Sequence, residues 1–128
     1  MKSILSRTFA FLFVVLLSFS SVSILPVKAI GSVYIRNDGK IDGDGLKLDN
    51  GIYVFTSDIY GQIIIEKDNI IVDGSGYILH AMNEGNILLD NVEGVTLRNI
   101  EVIDTDFDIT LKDSNNNEII LIKKCLMQ

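Results

Sequence analysis

Short apolar runs recur in the second half of the chain at a nearly constant distance. Triplets of residues that begin at positions 63, 87 and 109 align with one another, so the offsets are 24 and 22 residues. A second apolar position follows in each copy, at Val72, Leu97 and Ile119. A period in the low twenties with two short strands per copy is typical of a β-solenoid. The runs are short, β-branched and broken by Gly, Asn and Asp, which argues against helices.

Alternation within each triplet predicts which side chains point inward. Successive side chains of a strand face opposite sides, so the first and third residues of a triplet share one face. We expect this face to form the core and the middle residues to face outward. The predicted inward pairs are Ile63 and Ile65, Ile87 and Leu89, and Ile109 and Leu111.

A turn column separates the two strands of each copy. Asn69, Gly94 and Asn116 lie three residues before the second apolar position. Gly and Asn adopt a left-handed backbone at low cost, and a recurrent left-handed bend would lead one strand into the next face of a coil. Stacked Asn side chains would also exchange amide hydrogen bonds. The alternative is a set of ordinary turns in an antiparallel sheet, although separate hairpins need not repeat at a fixed period.

Two segments resemble a known family. Residues 68–74 (DNIIVDG) and 113–119 (DSNNNEI) are similar to repeats of right-handed parallel β-helix proteins of the pectin-lyase-like superfamily. The closer resemblance is to secreted prokaryotic proteins of the NosD-like type, of which this chain would be a short member or an N-terminal fragment. The resemblance implies an all-β fold, a short right-handed parallel β-helix of about three coils. It says little about activity, because this superfamily includes lyases, hydrolases, adhesins and non-enzymes.

The first 29 residues have the pattern of an export signal. Lys2 and Arg7 precede an unbroken apolar run at 9–17, and a serine-rich stretch at 20–23 and Pro26 follow it before the expected cleavage site at 27–29. This run is shorter than the roughly twenty residues that a membrane-spanning helix needs. We therefore expect a cleaved signal peptide at 1–29 and a secreted or cell-surface protein that starts at Ile30. An uncleaved anchor is the alternative.

Removal of the signal changes the charge of the chain. It leaves 8 of the 11 basic residues against 17 acidic ones, a formal charge of −9. An acidic surface argues against binding to nucleic acid or to anionic lipid, and no membrane span remains after cleavage. The lone Cys125 cannot form an internal disulfide, and we expect it inside the last coil.

The mature part is long enough for one domain with two regions. We assign residues 63–128 to the parallel β-helix repeats and residues 30–62 to N-terminal strands that cap the open first coil. This lead-in is dense in turn-forming residues and includes Asp42, Asp44 and Asp49, whose oxygens suit calcium. Asp-Gly turns explain the same residues without a metal, and the spacing does not match a known calcium loop.

Acidic residues also precede the third copy. Asp104, Asp106 and Asp108 would share one side of an extended segment and could bind a cation such as calcium or act as a carboxylate pair. A solvated corner between coils is the alternative interpretation. Asp73 and Arg98 fall in one column of consecutive copies, either as a surface ion pair or as the acid and base of a lyase. We do not assign that catalytic role, because the other acidic and basic residues of the family's catalytic motifs are missing.

Two further residue types suggest ligands. His80 is the only histidine, and the NosD-like resemblance implies copper, for which His80 and Met82 would be two ligands. We expect His80 to be an exposed loop residue instead. Tyr60 and Tyr77 are the aromatic residues best suited to stack on a sugar ring, with packing in the core or at its rim as the alternative.

The third copy runs into residues 121–128 without an amphipathic helix that would cover it. We therefore expect either a shortened member of a longer family or a chain that self-associates through the open coil. The first function that we expect is a non-catalytic extracellular module, one that binds polysaccharide. The alternatives are the N-terminal part of a polysaccharide lyase or glycoside hydrolase, and a NosD-like copper-accessory protein.

Overall fold

The computed structural model describes residues 31–81, 87–103 and 109–125, with the side chains of residues 121, 124 and 125 left aside. This part of the chain contains β-strands and no helix, so the all-β prediction is confirmed. The first six strands are β1 (Val33–Ile35), β2 (Ile41–Asp42), β3 (Leu46–Asp49), β4 (Ile52–Phe55), β5 (Ile59–Tyr60) and β6 (Ile63–Ile65). The other six are β7 (Ile71–Asp73), β8 (Ile78–His80), β9 (Ile87–Asp90), β10 (Thr96–Ile103), β11 (Ile109–Lys112) and β12 (Glu118–Cys125).

The triplets of the repeat pair in parallel in the first sheet. Its strand order is β11-β9-β6-β1-β2, and all pairs except β1 with β2 are parallel. Ile63 pairs with Ile87, and Ile87 pairs with Ile109, which is the register that the period predicts. Like side chains therefore stack from one layer to the next.

The second sheet carries the second apolar position of each copy. Leu97 of β10 pairs with Val72 on one side and with Ile119 on the other, again as the period predicts. The long strand β10 pairs with β7 through its first part and with β8 through its last part. Asn99, between these parts, has a positive φ of 52° and bends the strand. The parallel ladders and the repeat-like strand order are compatible with a β-helix-like fold.

The lead-in contributes more than a cap. Its strands β1, β4 and β5 pair in parallel with β6, β7 and β8, and so form a layer before the three copies seen in the sequence. Only β2 and β3 run antiparallel, beside β1 and β4. This layer cannot be recognised from the sequence period, because the excursion through β2 and β3 makes the spacing between paired residues unequal. Position 33 pairs with position 63, whereas position 53 pairs with position 72.

The core lies between the two sheets and continues through the layers. The inward residues of the second and third layers, Ile63, Ile65, Ile87 and Leu89, are fully buried. Ile64, a middle residue predicted to face outward, is not part of the core cluster that contains Ile63 and Ile65, but it is buried as well. Its strand lies between β1 and β9, whose paired residues flank it.

The residues predicted to point inward are only partly covered in the last layer, where Ile109 is a half-buried side chain packed against the core. Leu111 is 52% exposed and Ile119 is 46% exposed, whereas their partners in the preceding layer, Leu89 and Leu97, are buried. The reason is that, within the described residues, β11 and β12 each pair with a strand on one side only. A side chain of a stacked layer is buried by neighbours on both sides.

Candidate functional site

A pocket of about 260 Å³ lies within the lead-in, between its β1, the excursion after β2 and the segment that forms β5. Its lining includes Asp44 from the excursion, and Ser57, Asp58 and Tyr60 from the segment that leads into and forms β5. The pocket lining includes two aspartates, two serines and a tyrosine, whose carboxylates, hydroxyls and aromatic ring can hydrogen-bond to polar organic ligands or stack on them. Its volume is close to the lower end of the range of ligand sites, about 300 Å³.

Close backbone approach at two glycines holds this part of the molecule together. Gly61 follows β5 with a φ of 131°, and a Cβ placed on it would lie 2.2 Å from the carbonyl oxygen of Gly31. Gly45 has a φ of 99°, and its Cβ would lie 2.8 Å from a side-chain carbon of Ile59. Only glycine fits such contacts at a positive φ. Gly31 and Ile59, which line the pocket, are therefore packed against two glycines that the sequence pattern alone would assign to turns.

Tyr60 is stacked on His80. The two residues are paired in register on β5 and β8, and their rings lie 4.1 Å apart between centroids with an angle of 7° between planes. The prediction that His80 is an exposed loop residue is wrong, because β8 extends to residue 80 and the side chain is only 24% exposed. The stack fixes the orientation of the Tyr60 ring beside the pocket.

Asp58 connects the pocket to the next layer. Its Oδ1 accepts a hydrogen bond of 2.9 Å from the backbone N–H of Ile78, and its Oδ2 lies 3.8 Å from Nε2 of His80. A carboxylate held by a backbone donor has little freedom to rotate. The sequence analysis did not single out Asp58. A Ser-Asp pair directly before a strand is the one signal that could have identified it.

Tyr77, the second predicted sugar-stacking residue, lies elsewhere. It belongs to the turn between β7 and β8, where its backbone N–H donates to the carbonyl of Gly74, and its side chain is 40% exposed. It is not among the residues that line the pocket. The structure therefore does not bring Tyr60 and Tyr77 together in this pocket.

Asp73 and Arg98 form a tight polar cluster on neighbouring layers. Oδ2 of Asp73 accepts a 2.7 Å hydrogen bond from Nε of Arg98, and Oδ1 accepts one of 2.8 Å from the backbone N–H of Ser75. Nδ2 of Asn99 lies 3.3 and 3.4 Å from the two carboxylate oxygens. Burial by itself raises the pKa of Asp73, but the donors of Ser75, Arg98 and Asn99 outweigh it, so the pKa is lowered.

The location of this cluster indicates a structural role. Asp73 is 9% exposed, and its donors come from the Ser75 turn and from the bend at Asn99. Gly74 lies between them, and a Cβ there would be 2.2 Å from the carbonyl oxygen of Asn99. The carboxylate thus joins two irregular segments of adjacent layers whose backbones are in close contact.

The predicted turn column has the backbone of a left-handed corner. Asn69, Gly94 and Asn116 have φ values of 55°, 68° and 54°. The side chains that accept hydrogen bonds at this corner belong to neighbouring positions. Asp68 accepts one from the backbone N–H of Glu93, and Asn117 accepts one from the backbone N–H of Val95. Gly94 interrupts an asparagine stack, since a Cβ there would lie 2.4 Å from Oδ1 of Asn69.

Of the predicted metal ligands, only those of the lead-in and His80 lie in the described part of the chain. Asp104, Asp106, Asp108 and Met82 lie outside the described residues. In the lead-in, Asp42 pairs with Arg36 at 2.9 Å and Asp49 pairs with Lys47 at 3.4 Å, whereas Asp44 lines the pocket. No group of three His, Cys, Asp or Glu side chains suited to a metal ion occurs among the residues described.

Comparison with known proteins adds no assignment: no family model, curated protein or solved structure matches this chain. Among the described residues, no helix is long and apolar enough to cross a membrane. The pocket at Asp44, Asp58 and Tyr60 is therefore the candidate site on the strength of its geometry.

Proposed function

We propose that the parallel layers wind as a short right-handed β-helix of the pectin-lyase-like, NosD-like type. The support is the in-register parallel pairing of equivalent positions in successive layers, together with the repeat motifs at residues 68–74 and 113–119. Residues 1–29 would serve as the export signal, residues 30–62 as the lead-in and residues 63–128 as the repeats. The protein would then act outside the cell or at its surface.

We further propose that this module binds polysaccharide without cleaving it. The observation that carries the proposal is the pocket in which the fixed ring of Tyr60 lies with the carboxylates of Asp44 and Asp58 and the hydroxyl of Ser57. Sugars are bound in this way, since an aromatic ring contacts their apolar C–H face and carboxylates accept hydrogen bonds from their hydroxyl groups.

The two alternative functions have weaker support. A lyase that used Asp73 and Arg98 as its acid and base would need these groups to be free, whereas the carboxylate of Asp73 accepts hydrogen bonds from Arg98 and Ser75 and is nearly buried. A copper site would need His80 together with further soft ligands, whereas His80 is stacked on Tyr60.

Binding of glycans by the chain from Ile30, which contains every described strand, tests the proposal. Titration calorimetry or affinity electrophoresis with a panel of neutral, amino and acidic polysaccharides should detect binding without release of reducing ends. Tyr60→Ala should weaken binding about tenfold, the order expected when a stacked aromatic contact worth about 1.4 kcal/mol is lost. Tyr60→Phe keeps the ring and should bind nearly as well as the wild type.

A matched control separates the pocket from general surface effects. Tyr34 is a half-buried tyrosine of β1 that stacks against the guanidinium of Arg36, 3.9 Å from its ring centroid, and does not line the pocket. Tyr34→Ala should leave glycan affinity unchanged. Equal losses in both variants, or turnover of any glycan, would contradict the proposal.

A further inference from the structure

The charge of the pocket restricts the class of sugar that it can accept. Two of its lining residues, Asp44 and Asp58, carry carboxylates, and no Lys or Arg is among the described residues that line it. At neutral pH the pocket therefore presents negative charge to a ligand.

Three basic side chains of the lead-in have acidic partners outside the pocket, whereas His80 lies beside Asp58, with its Nε2 3.8 Å from Oδ2 of that carboxylate. Arg36 pairs with Asp42 and Glu66, Lys40 pairs with Asp38, and Lys47 pairs with Asp49. Within the described part of the chain, no hydrogen bond or ion pair joins Asp44 to another residue.

The second carboxylate is held in position. The bond from Ile78 N to Oδ1 of Asp58 anchors this side chain, while the stack of Tyr60 on His80 fixes the aromatic ring on the same segment. A ligand would meet a preorganised carboxylate and ring, so little conformational entropy is lost when it binds.

We propose that the pocket recognises a polysaccharide that carries free amino groups, as glucosamine polymers do, and that it discriminates against uronic acids. This inference rests on the proposed polysaccharide binding and names its ligand class. A protonated amine would form charge-assisted hydrogen bonds with Asp44 or Asp58. A uronate carboxylate would meet two like charges instead. At about 4 Å and in a water-like dielectric, one charge pair changes affinity about fivefold.

Three short oligosaccharides test the inference: a glucosamine oligomer, its N-acetylated equivalent and a polygalacturonate oligomer. The chain from Ile30 is titrated with each one at about pH 5.5, so that the sugar amine is protonated. We expect the glucosamine oligomer to bind at least about fivefold tighter than the N-acetylated one, and the polygalacturonate oligomer to bind most weakly. Salt should reduce the first difference, because ions screen exposed charges.

Variants assign the preference to the pocket. Asp44→Asn and Asp58→Asn keep size and hydrogen-bonding capacity but remove charge, and each should reduce the preference for the amino sugar without weakening the N-acetylated oligomer. Asp49→Asn is the matched control, since Asp49 is also an exposed lead-in carboxylate but pairs with Lys47 and does not line the pocket. It should change nothing.

The outcomes separate this inference from the proposed function. Equal affinity for the amino and N-acetylated oligomers, tighter binding of the uronate, or an equal effect of Asp49→Asn would overturn the amino-sugar inference and leave polysaccharide binding standing. Failure of all three oligosaccharides and of the wider glycan panel to bind would overturn the proposed function, and the amino-sugar inference with it.

Discussion

Replacement of Asp73 offers a direct measure of what joins adjacent layers of this protein. The Asp73 carboxylate accepts hydrogen bonds from Ser75 N at 2.8 Å and from Arg98 Nε at 2.7 Å, and it lies within 3.4 Å of Nδ2 of Asn99. These donors belong to two layers, because β7 ends at Asp73 and Arg98 and Asn99 lie on β10. We therefore expect Asp73→Ala to weaken the contact between the layers as well as the local turn.

The size of the effect follows from the contacts. A hydrogen bond to a charged acceptor contributes about 1.5–3 kcal/mol, and the bond from Ser75 N is of this kind. Arg98 has 37% of its side chain exposed, so solvent screens its ion pair with Asp73 and we assign it about 1 kcal/mol. Asp73→Ala should thus lower the free energy of unfolding by about 3 kcal/mol. Asp73→Asn keeps an acceptor for Ser75 N and should cost about 1 kcal/mol.

The dependence on pH has a definite sign. Because the pKa of Asp73 is lower in the folded protein than in the unfolded chain, the unfolded state binds more protons at acidic pH. The stabilisation is complete above the unfolded value of about 3.9 and is lost as the pH falls through the folded pKa. The stability difference between the wild type and Asp73→Asn should therefore be constant from neutral pH to about pH 5 and then shrink.

Urea unfolding followed by far-ultraviolet circular dichroism measures these differences. The wild type, Asp73→Ala, Asp73→Asn, Arg98→Gln and the Asp73→Asn/Arg98→Gln double variant form the set, and the coupling energy from the cycle should be about 1 kcal/mol or less. The slope with denaturant must stay constant for the comparison to hold. A loss below about 0.5 kcal/mol in Asp73→Ala, or a difference between the wild type and Asp73→Asn that grows as the pH falls, would refute the reasoning.

Four other predictions address packing, backbone, processing and association. Leu97→Ala removes a fully buried side chain and should lower the free energy of unfolding by about 3 kcal/mol. Leu48→Ala, at a site 55% exposed, should change it by no more than about 0.5 kcal/mol in the same urea assay. Equal losses in the two variants would contradict the assignment of the core. Gly61→Ala places a Cβ 2.2 Å from a backbone oxygen and should lower the urea midpoint far more than Gly51→Ala, because Gly51 also has a positive φ but has open space around it. The reverse order would show that backbone strain, rather than this close contact, determines the loss of stability. Amino-terminal sequencing of the secreted protein should return Ile30, and recovery of the chain with its original first residue would rule out cleavage after residue 29. Light scattering should show an apparent mass that rises with concentration, since the last layer exposes apolar side chains beside β11 and β12; a constant monomer mass would exclude association through that edge.

The period of the sequence determined much of the register. Parallel stacking brings equivalent positions into contact, so equal spacing along the chain becomes direct pairing. The pairs Ile63–Ile87 and Val72–Leu97 follow from this spacing alone. So does the meeting of Asp73 and Arg98, for which the sequence favours a surface ion pair or a catalytic pair; the two side chains are hydrogen-bonded, but Asp73 is buried.

The candidate site could be predicted only in part. The residue type of Tyr60 suggests a sugar-stacking role, which stays a prediction. Its stack on His80 could not be predicted, because the two residues lie on β5 and β8 at an offset of 20, which differs from the period of the repeats. Asp44 was considered for calcium, whereas the structure places it in a pocket with Asp58. Asp44 and Asp58 lie in one pocket because the excursion folds back against β5, and no local sequence pattern predicts this contact.

The sequence by itself determined the all-β class, the repeat and its register, because these follow from local alternation and equal spacing, and both recur in every copy. Only the tertiary structure decided which side chains are buried and where a ligand would bind. Burial depends on neighbours above and below a strand: Ile64 is covered on both sides, and Leu111 has a paired strand on one side only within the described residues. The pocket depends on the segment through β2 and β3, which contacts β5 and does not repeat, so no sequence period predicts this contact.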